Sequence, residues 1–257
     1  MAKQEYMDLR ASIVKWLRDY LQKSKKNGCV LGMSGGIDSS IIALLAKEAT
    51  HTLGKKVLAL ILPINNDNDY YDESAAVSIC NEFGIEYKII NLASSYEALK
   101  AAVNNSVNQP VTYTNLKARL RECAIYFHAN NLDYLVLGTV NRGEYTIGYF
   151  PKNATAGDIL PIADLLKKEI REIGRSYSLA EEIVSRKASG CICAKTAEEE
   201  WGFSEEELDR LVETLDRGEE SLKRIHGISR DKIERFLELY RSTDHKRKYY
   251  PIYKKER

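Results

Sequence analysis

Cys29-Val30-Leu31-Gly32-Met33-Ser34-Gly35-Gly36-Ile37-Asp38-Ser39-Ser40 is the stretch that decides the fold. Its first three residues form a short apolar run of the kind buried in a sheet. The glycines and serines then predict a turn, and Ile41, Ile42, Leu44 and Leu45 carry a helix to about Ala49. The flanking chain repeats this strand-to-helix alternation. Upstream, Leu9, Ile13, Trp16, Leu17 and Leu21 predict an amphipathic helix over 5–24. Downstream, Val57-Leu58-Ala59-Leu60-Ile61-Leu62 is a continuous apolar run stopped by Pro63, as in a strand covered on both faces. A helix over 72–83 closed by Gly84, a strand at Tyr87–Ile90, a helix over 114–130 and a strand at Leu135–Gly138 follow. The pattern predicts an α/β fold, a parallel sheet of about five strands flanked by helices on both faces. Beyond Gly138 it changes to a loop at 148–160, a helix at 162–175, a polar stretch at 186–203 and helices at 204–216 and 229–241. No repeat or low-complexity linker divides the chain, so residues 1–257 are expected to form one domain with a helical C-terminal portion.

Composition narrows the function classes. At 44% hydrophobic and 29% charged, the chain is too apolar to be disordered and too poor in Gly and Pro to be fibrous. Lys+Arg 38 against Asp+Glu 37 leaves a net charge of +1, which gives no reason to expect a nucleic-acid partner. Apolar runs such as Val57–Ile64 are far shorter than the ~20 residues of a membrane span, and the start, Met-Ala-Lys-Gln-Glu, has no apolar core of a signal peptide. The five scattered cysteines, Cys29, Cys80, Cys123, Cys191 and Cys193, predict free thiols and a cytoplasmic location. Cys191-x-Cys193 lacks the second pair of a structural zinc site.

In a parallel α/β sheet, ligands bind outside the carboxyl ends of the strands, where Gly32–Ser40 lies. Glycines let the backbone approach an anion, the next helix offers its N-terminal N–H groups, and Ser34, Ser39 and Ser40 add hydroxyls. The stretch reads as a phosphate cradle rather than a mere turn and cap. It lacks the Gly-Lys-Ser/Thr of a Walker loop and the Gly-x-Gly-x-x-Gly of a dinucleotide fold. Asp38 would repel phosphate unless a cation stood between them, which points to Mg²⁺.

Ser34-Gly35-Gly36-Ile37-Asp38-Ser39 resembles the pyrophosphate-binding loop of the N-type ATP pyrophosphatases, whose adenine nucleotide alpha hydrolase-like fold matches the pattern above. Asn115–Arg121, Gly138-Thr139-Val140-Asn141-Arg142-Gly143-Glu144, Asp158-Ile159-Leu160-Pro161, Lys167, Trp201-Gly202-Phe203-Ser204 and His245-Lys246-Arg247, in that order, resemble the ammonia-dependent NAD synthetase family within them. The resemblance spans nearly the whole chain. It implies an ATP- and Mg²⁺-dependent ligase that adenylates deamido-NAD and lets free ammonia displace AMP, working as a homodimer with neither nucleic acid nor membrane as partner. In that reading Gly32, Ser34, Gly35, Gly36, Asp38 and Ser39 hold the phosphates, and Thr139 and Lys167 contact ATP. Asp38 and Glu144 bind Mg²⁺, while Arg119, Lys152, Asp158, His245 and Lys246 bind the dinucleotide. From the residues alone, Glu144 at a strand mouth is either a metal ligand or a solvated acid, and Lys167 either an ATP contact or a surface charge. Arg119 either clamps a pyrophosphate or belongs to a solvated helix face, Arg121 reads as part of such a face, and the basic tail suits either a phosphate or solubility.

Three segments depart from the family pattern. Lys152-Asn153-Ala154-Thr155-Ala156-Gly157-Asp158 is one residue short and lacks an acid, and Ser189 of Lys187-Ala188-Ser189 is the only hydroxyl placed to contact ATP there. Lys195-Thr196-Ala197-Glu198 replaces Gln and Asp by Lys and Ala. The ATP half matches and the acid-substrate half is edited, which leaves open a paralogue acting on a different carboxylic acid. A nucleotide-binding regulator without turnover is the remaining alternative, and the acidic pair counts against it.

Overall fold

The structure, a computed structural model, describes residues 3–64, 72–103, 110–152, 154, 157–187 and 196–248. Ser189, Cys191, Cys193 and Lys195 lie outside the described residues, as do Asn153, Thr155, Ala156 and Ala188. Along the chain come α1 (Lys3–Lys23), β1 (Gly28–Gly32), α2 (Ile37–His51), β2 (Lys56–Ile61), α3 (Glu73–Glu82) and β3 (Glu86–Ile89). Then follow α4 (Ala93–Val103), α5 (Pro110–Leu132), β4 (Tyr134–Val136), α6 (Arg142–Ile147), α7 (Lys167–Ser176) and α8 (Glu181–Val184). The chain continues through α9 (Ala197–Trp201), α10 (Glu205–Leu215), α11 (Glu219–Leu222), α12 (Arg230–Ser242) and α13 (Asp244–Arg247).

The strands are parallel and ordered β3-β2-β1-β4, with Cys29 opposite both Val57 and Leu135. Successive side chains point to opposite faces, and the burial follows that period. Cys29, Leu31, Val57, Ala59 and Ile61 pack with Leu17 and Leu21 of α1, Ile41 and Leu45 of α2 and Ile170 and Ile173 of α7. Val30, Leu58, Leu60 and Val136 face the other way, onto Tyr96 of α4 and Ala129 of α5. A second core lies away from the sheet, where Phe236 of α12 meets Trp201, Phe203, Leu208, Leu211 and Leu222. Among the described residues, no helix is long and apolar enough to cross a membrane.

The chain runs β1, β2, β3 to one side of the sheet and then crosses to the other side of β1 to lay down β4. The carboxyl ends of β1 and β4 are therefore a topological switch point, the crevice where open parallel sheets bind ligands.

Three expectations are corrected. The described sheet has four strands rather than about five. The segment after Gly157, which sits at φ +62, lies beside β4, held by the parallel bridge Leu137–Ile159 and by Asp158 N donating to Val136 O at 2.9 Å, without forming a further strand. The helix expected from 162 starts at Lys167, since Leu166 is still extended. Inside the polar stretch 186–203, Thr196 and Glu199 form a capping box that starts α9.

Gly157 also packs where a Cβ would come within 2.7 Å of Gly138 N and 2.9 Å of Val136 O. A Gly157→Ala variant is expected to lose about 2 kcal/mol or more, from left-handed backbone strain plus this contact. Urea unfolding checks it, and an unchanged midpoint would contradict the close approach.

Candidate active site

The turn after β1 is folded by its own serines. Ser34 Oγ accepts from Gly36 N at 3.3 Å and lies 3.1 Å from Ser39 Oγ, and Ser39 Oγ donates to Gly36 O at 3.0 Å. Gly35, at φ +81, has the carbonyl of Asp72 where a Cβ would stand. Asp72 N donates to Ser34 O at 2.9 Å, so the start of α3 buttresses the loop. Asp72 also caps α3 through Ala75 N at 2.9 Å and pairs with Arg186 at 2.8 Å. The cap bond first, with help from Ser74 and Arg186, holds the Asp72 carboxyl below its usual range. Gly36 gives α2 no side-chain cap, which leaves the N–H groups of its first turn for an anion.

Asp38 stands in that first turn. Lys167, at the start of α7, places Nζ 2.6 Å from Asp38 Oδ2, and Asn141 Nδ2 lies 3.3 Å from Asp38 Oδ1. Asn141 also caps α6. Its side chain accepts from Glu144 N at 3.0 Å, and Glu144 Oε2 accepts from Asn141 N at 3.2 Å. The capping box thus aims Glu144 at the same cluster. Burial, reinforced by Asp38 and opposed by Lys167, pushes the Glu144 carboxyl up to about 8. Burial alone would lower the Lys167 ammonium, but Asp38, Glu205 and Glu144 together hold it above its usual value. Glu205 of α10 is 3.7 Å from Lys167 Nζ and also bonds Arg171. Asp38, Glu144 and Lys167, far apart in sequence and expected on the ATP side, therefore meet.

Beside them, a cavity of about 90 Å³ opens between the ends of β1 and β4 and helix α5. Gly32, Ser34, Thr139, Gly157, Val136 and Ile125 are among its lining. Arg121 lines it too, and the expected solvated helix face is wrong for this residue. Arg121 is 3% exposed and donates from Nε to Leu62 O at 2.9 Å, extending from α5 to the end of β2. Arg119, two residues earlier, is the exposed one.

Arg119, Lys152, His245 and Lys246 also come together. Arg119 Nη2 donates to Lys152 O at 3.4 Å, Lys152 Nζ to His245 O at 2.6 Å, and Lys246 Nζ to Gly148 O and Phe150 O at 2.7 and 2.8 Å. Burial, then Arg119 and Arg247, lowers the Lys246 ammonium. The result is a basic patch that joins α13 to the loop after α6. Asp158 stands apart from it. Its carboxylate accepts from Val136 N at 2.8 Å and Tyr126 OH at 3.0 Å, so it pins the Gly157–Ile159 segment to β4.

The model of the NAD synthase family matches residues 9–250 of this chain. This chain belongs to the NAD synthase family. The NH(3)-dependent NAD(+) synthetase of Thermococcus sibiricus is 35% identical over 255 residues, covering 96% of this chain and 97% of that protein. That of Carboxydothermus hydrogenoformans is 34% identical over 92% and 93% of the two chains. Among solved structures, the NMN synthetase of Francisella tularensis superposes with a TM-score of 0.84 at 31% identity, covering 98% of each chain. The NH3-dependent NAD synthetase of Campylobacter jejuni gives 0.80 at 25% identity, covering 99% of this chain and 100% of that one.

Within this NAD synthase fold, the residues that sequence reasoning missed are those that hold the named ones. Asn141 orients Glu144 and touches Asp38, and the pattern Asn141-x-x-Glu144 was a visible capping signal. Asp209 accepts from Lys167 N and Lys168 N at 3.0 and 2.9 Å. Glu205 and Asp209 look in sequence like the solvated face of an acidic helix.

A Lys167→Met variant leaves Asp38, Glu144 and Glu205 without their ammonium, and a loss of about 3–5 kcal/mol is expected near neutral pH. Urea unfolding at about pH 7.5 checks it, and an unchanged midpoint would contradict the part the ammonium plays in holding these carboxylates together.

Proposed function

We propose that the protein is a carbon–nitrogen ligase that converts deamido-NAD and ammonia to NAD at the expense of ATP, releasing AMP and pyrophosphate. The observation that carries this is the meeting of the Ser/Gly loop, Asp38, Glu144 and Lys167 at the switch point, in a chain 35% identical over nearly full length to an NH(3)-dependent NAD(+) synthetase.

Asp38 and Glu144 suit Mg²⁺. They offer hard carboxylate oxygens, and a shielded carboxyl pushed up to about 8 by burial and a neighbouring carboxylate marks a site short of positive charge. Bound there with the polyphosphate, the metal would supply Lewis-acid stabilisation of the pyrophosphate. The loop of Gly32, Ser34, Gly35, Gly36 and Ser39 holds the β- and γ-phosphates with N–H and hydroxyl donors. Thr139, Lys167 and Ser189 contact ATP, and Arg121 walls the cavity beside the loop. The basic patch of Arg119, Lys152, His245 and Lys246 receives the anionic dinucleotide, and Asp158 adds a contact to it from its separate position against β4. The substrate carboxylate attacks the α-phosphorus, pyrophosphate departs, and ammonia displaces AMP from the acyl-adenylate. No enzyme nucleophile is needed, and the rate comes from positioning and electrostatics.

The same proposal includes a cytoplasmic homodimer. The free thiols Cys29, Cys80 and Cys123 agree with a reducing compartment, and Phe127 and Val111, exposed along α5, give a second copy apolar surface. A second reading of the substrate rests on the Francisella tularensis NMN synthetase, which covers both chains almost completely. On that reading the acid is the mononucleotide, which has the same nicotinate carboxyl but lacks the AMP half.

The test is product analysis with ammonium, ATP and each acid in parallel. AMP and pyrophosphate in equal amounts are expected, with higher kcat/KM for deamido-NAD. ADP as the stoichiometric product would remove the reading, and preference for the mononucleotide would transfer it to the second substrate. Asp38→Asn is expected to cost at least ~10²-fold in kcat while the protein stays folded. Undiminished pyrophosphate release by that variant would contradict the role of the carboxylate.

A further inference from the structure

Helices α7 and α10 face each other with complementary pairs. On α7, Lys167 and Arg171 are one turn apart, and on α10 so are Glu205 and Asp209, both buried. Asp209 takes the first two N–H groups of α7, the task that the N-cap Leu166 has no polar side chain to perform. The backbone of Lys167 is thereby fixed from α10. Its side chain is held from the same helix. Glu205 Oε2 bonds Arg171, while Glu205 Oε1 lies 3.7 Å from Lys167 Nζ. Arg171 has further partners in Val184 O at 3.2 Å and Glu206 at 3.4 Å, so it does not depend on Glu205 alone.

The Lys167 ammonium thus lies between a carboxylate of the phosphate loop and a carboxylate of α10. An arriving polyphosphate is anionic and competes with Asp38 for that ammonium. With Asp38 as its only anchor, Lys167 would either stay locked on it or lose its place on leaving it. A second carboxylate, fixed in the helical portion and not part of the loop, keeps the head group in the site through the exchange.

We propose that Glu205 is a positioning residue for the ATP half of the reaction, setting from α10 where the Lys167 ammonium stands when the phosphates bind. This rests on the reading of Lys167 as an ATP contact. It adds a residue that the loop motif does not contain, and it makes the packing of α10 in the second core a determinant of ATP affinity.

The experiment uses full-length wild type, Glu205→Gln and Glu205→Asp. KM is measured for ATP and for deamido-NAD, and the dissociation constant of ATP is measured by calorimetry in EDTA. For Glu205→Gln, the ATP KM and the metal-free ATP dissociation constant are expected to rise ~10-fold. The deamido-NAD KM should stay within about twofold. Glu205→Asp keeps the charge one methylene short and should recover part of the loss, which also decides the matter if the Gln variant does not fold. Unchanged ATP affinity in either variant, or a parallel rise in both KM values as from general loosening, would overturn the proposal. A wild type that releases no AMP would sink the ligase reading instead, and calorimetry with ATP would still decide the role of Glu205.

Discussion

Lys167 reaches back across 129 positions of sequence to the carboxylate of Asp38, and the assembly of the site depends on that contact. One partner stands in the first turn of the helix that leaves the central strand, the other at the start of α7. A buried ion pair adds little net stability compared with an apolar pair of the same volume, because both charges must leave water. Its value lies in what the charges do once a competing anion arrives. The ammonium is a ready partner for phosphate, and the carboxylate it releases is a ready partner for a cation. Stability and chemistry are in tension there, and the surrounding structure resolves it by holding the pair from both sides.

On one side the hold is the sheet. β1 and β4 lie side by side at the switch point, and the loop after β1 is braced by its serines and by the start of α3, with Asp72 both capping that helix and lying over Gly35. On the other side it is the C-terminal helices. This second core, around Phe236, is separate from the packing on the two faces of the sheet, yet α10 sends Glu205 and Asp209 out of it to the head and backbone of Lys167. The third contribution, Glu144, comes from α6, whose capping box with Asn141 turns a common helix-start device into an aiming device. Each holds a charged group in place before any ligand binds, and such preorganisation is where electrostatic catalysis gets its power.

The sequence disclosed what is local. Leu31 to Ser39 carries strand, turn, cradle and acid in consecutive residues, and the order of β1 to β4 follows from alternating apolar runs. What it hid depends on contacts between distant elements. Arg121 resembles any solvated arginine on a helix until the end of β2 is seen to offer it the Leu62 carbonyl. Glu205 and Asp209 sit in a run of acids, and only the approach of α7 distinguishes them from their exposed neighbours. The sequence offered four apolar runs for a sheet expected to have about five strands, and the described sheet has four. Asp158 looked like a ligand for the substrate and proves also to be a brace, through Val136 N.

The chemistry of an acyl-adenylate makes the substrate carboxylate the nucleophile toward the α-phosphorus of ATP, so one carboxylate oxygen must leave with AMP. The most direct measurement is a single turnover of deamido-NAD labelled with ¹⁸O in its carboxylate, with ATP and ammonium, followed by mass spectrometry of the AMP. One labelled oxygen per AMP formed is the predicted result. Unlabelled AMP, with the label released to water or to phosphate, would contradict an acyl-adenylate and with it the role of the loop after β1 as the holder of a departing pyrophosphate.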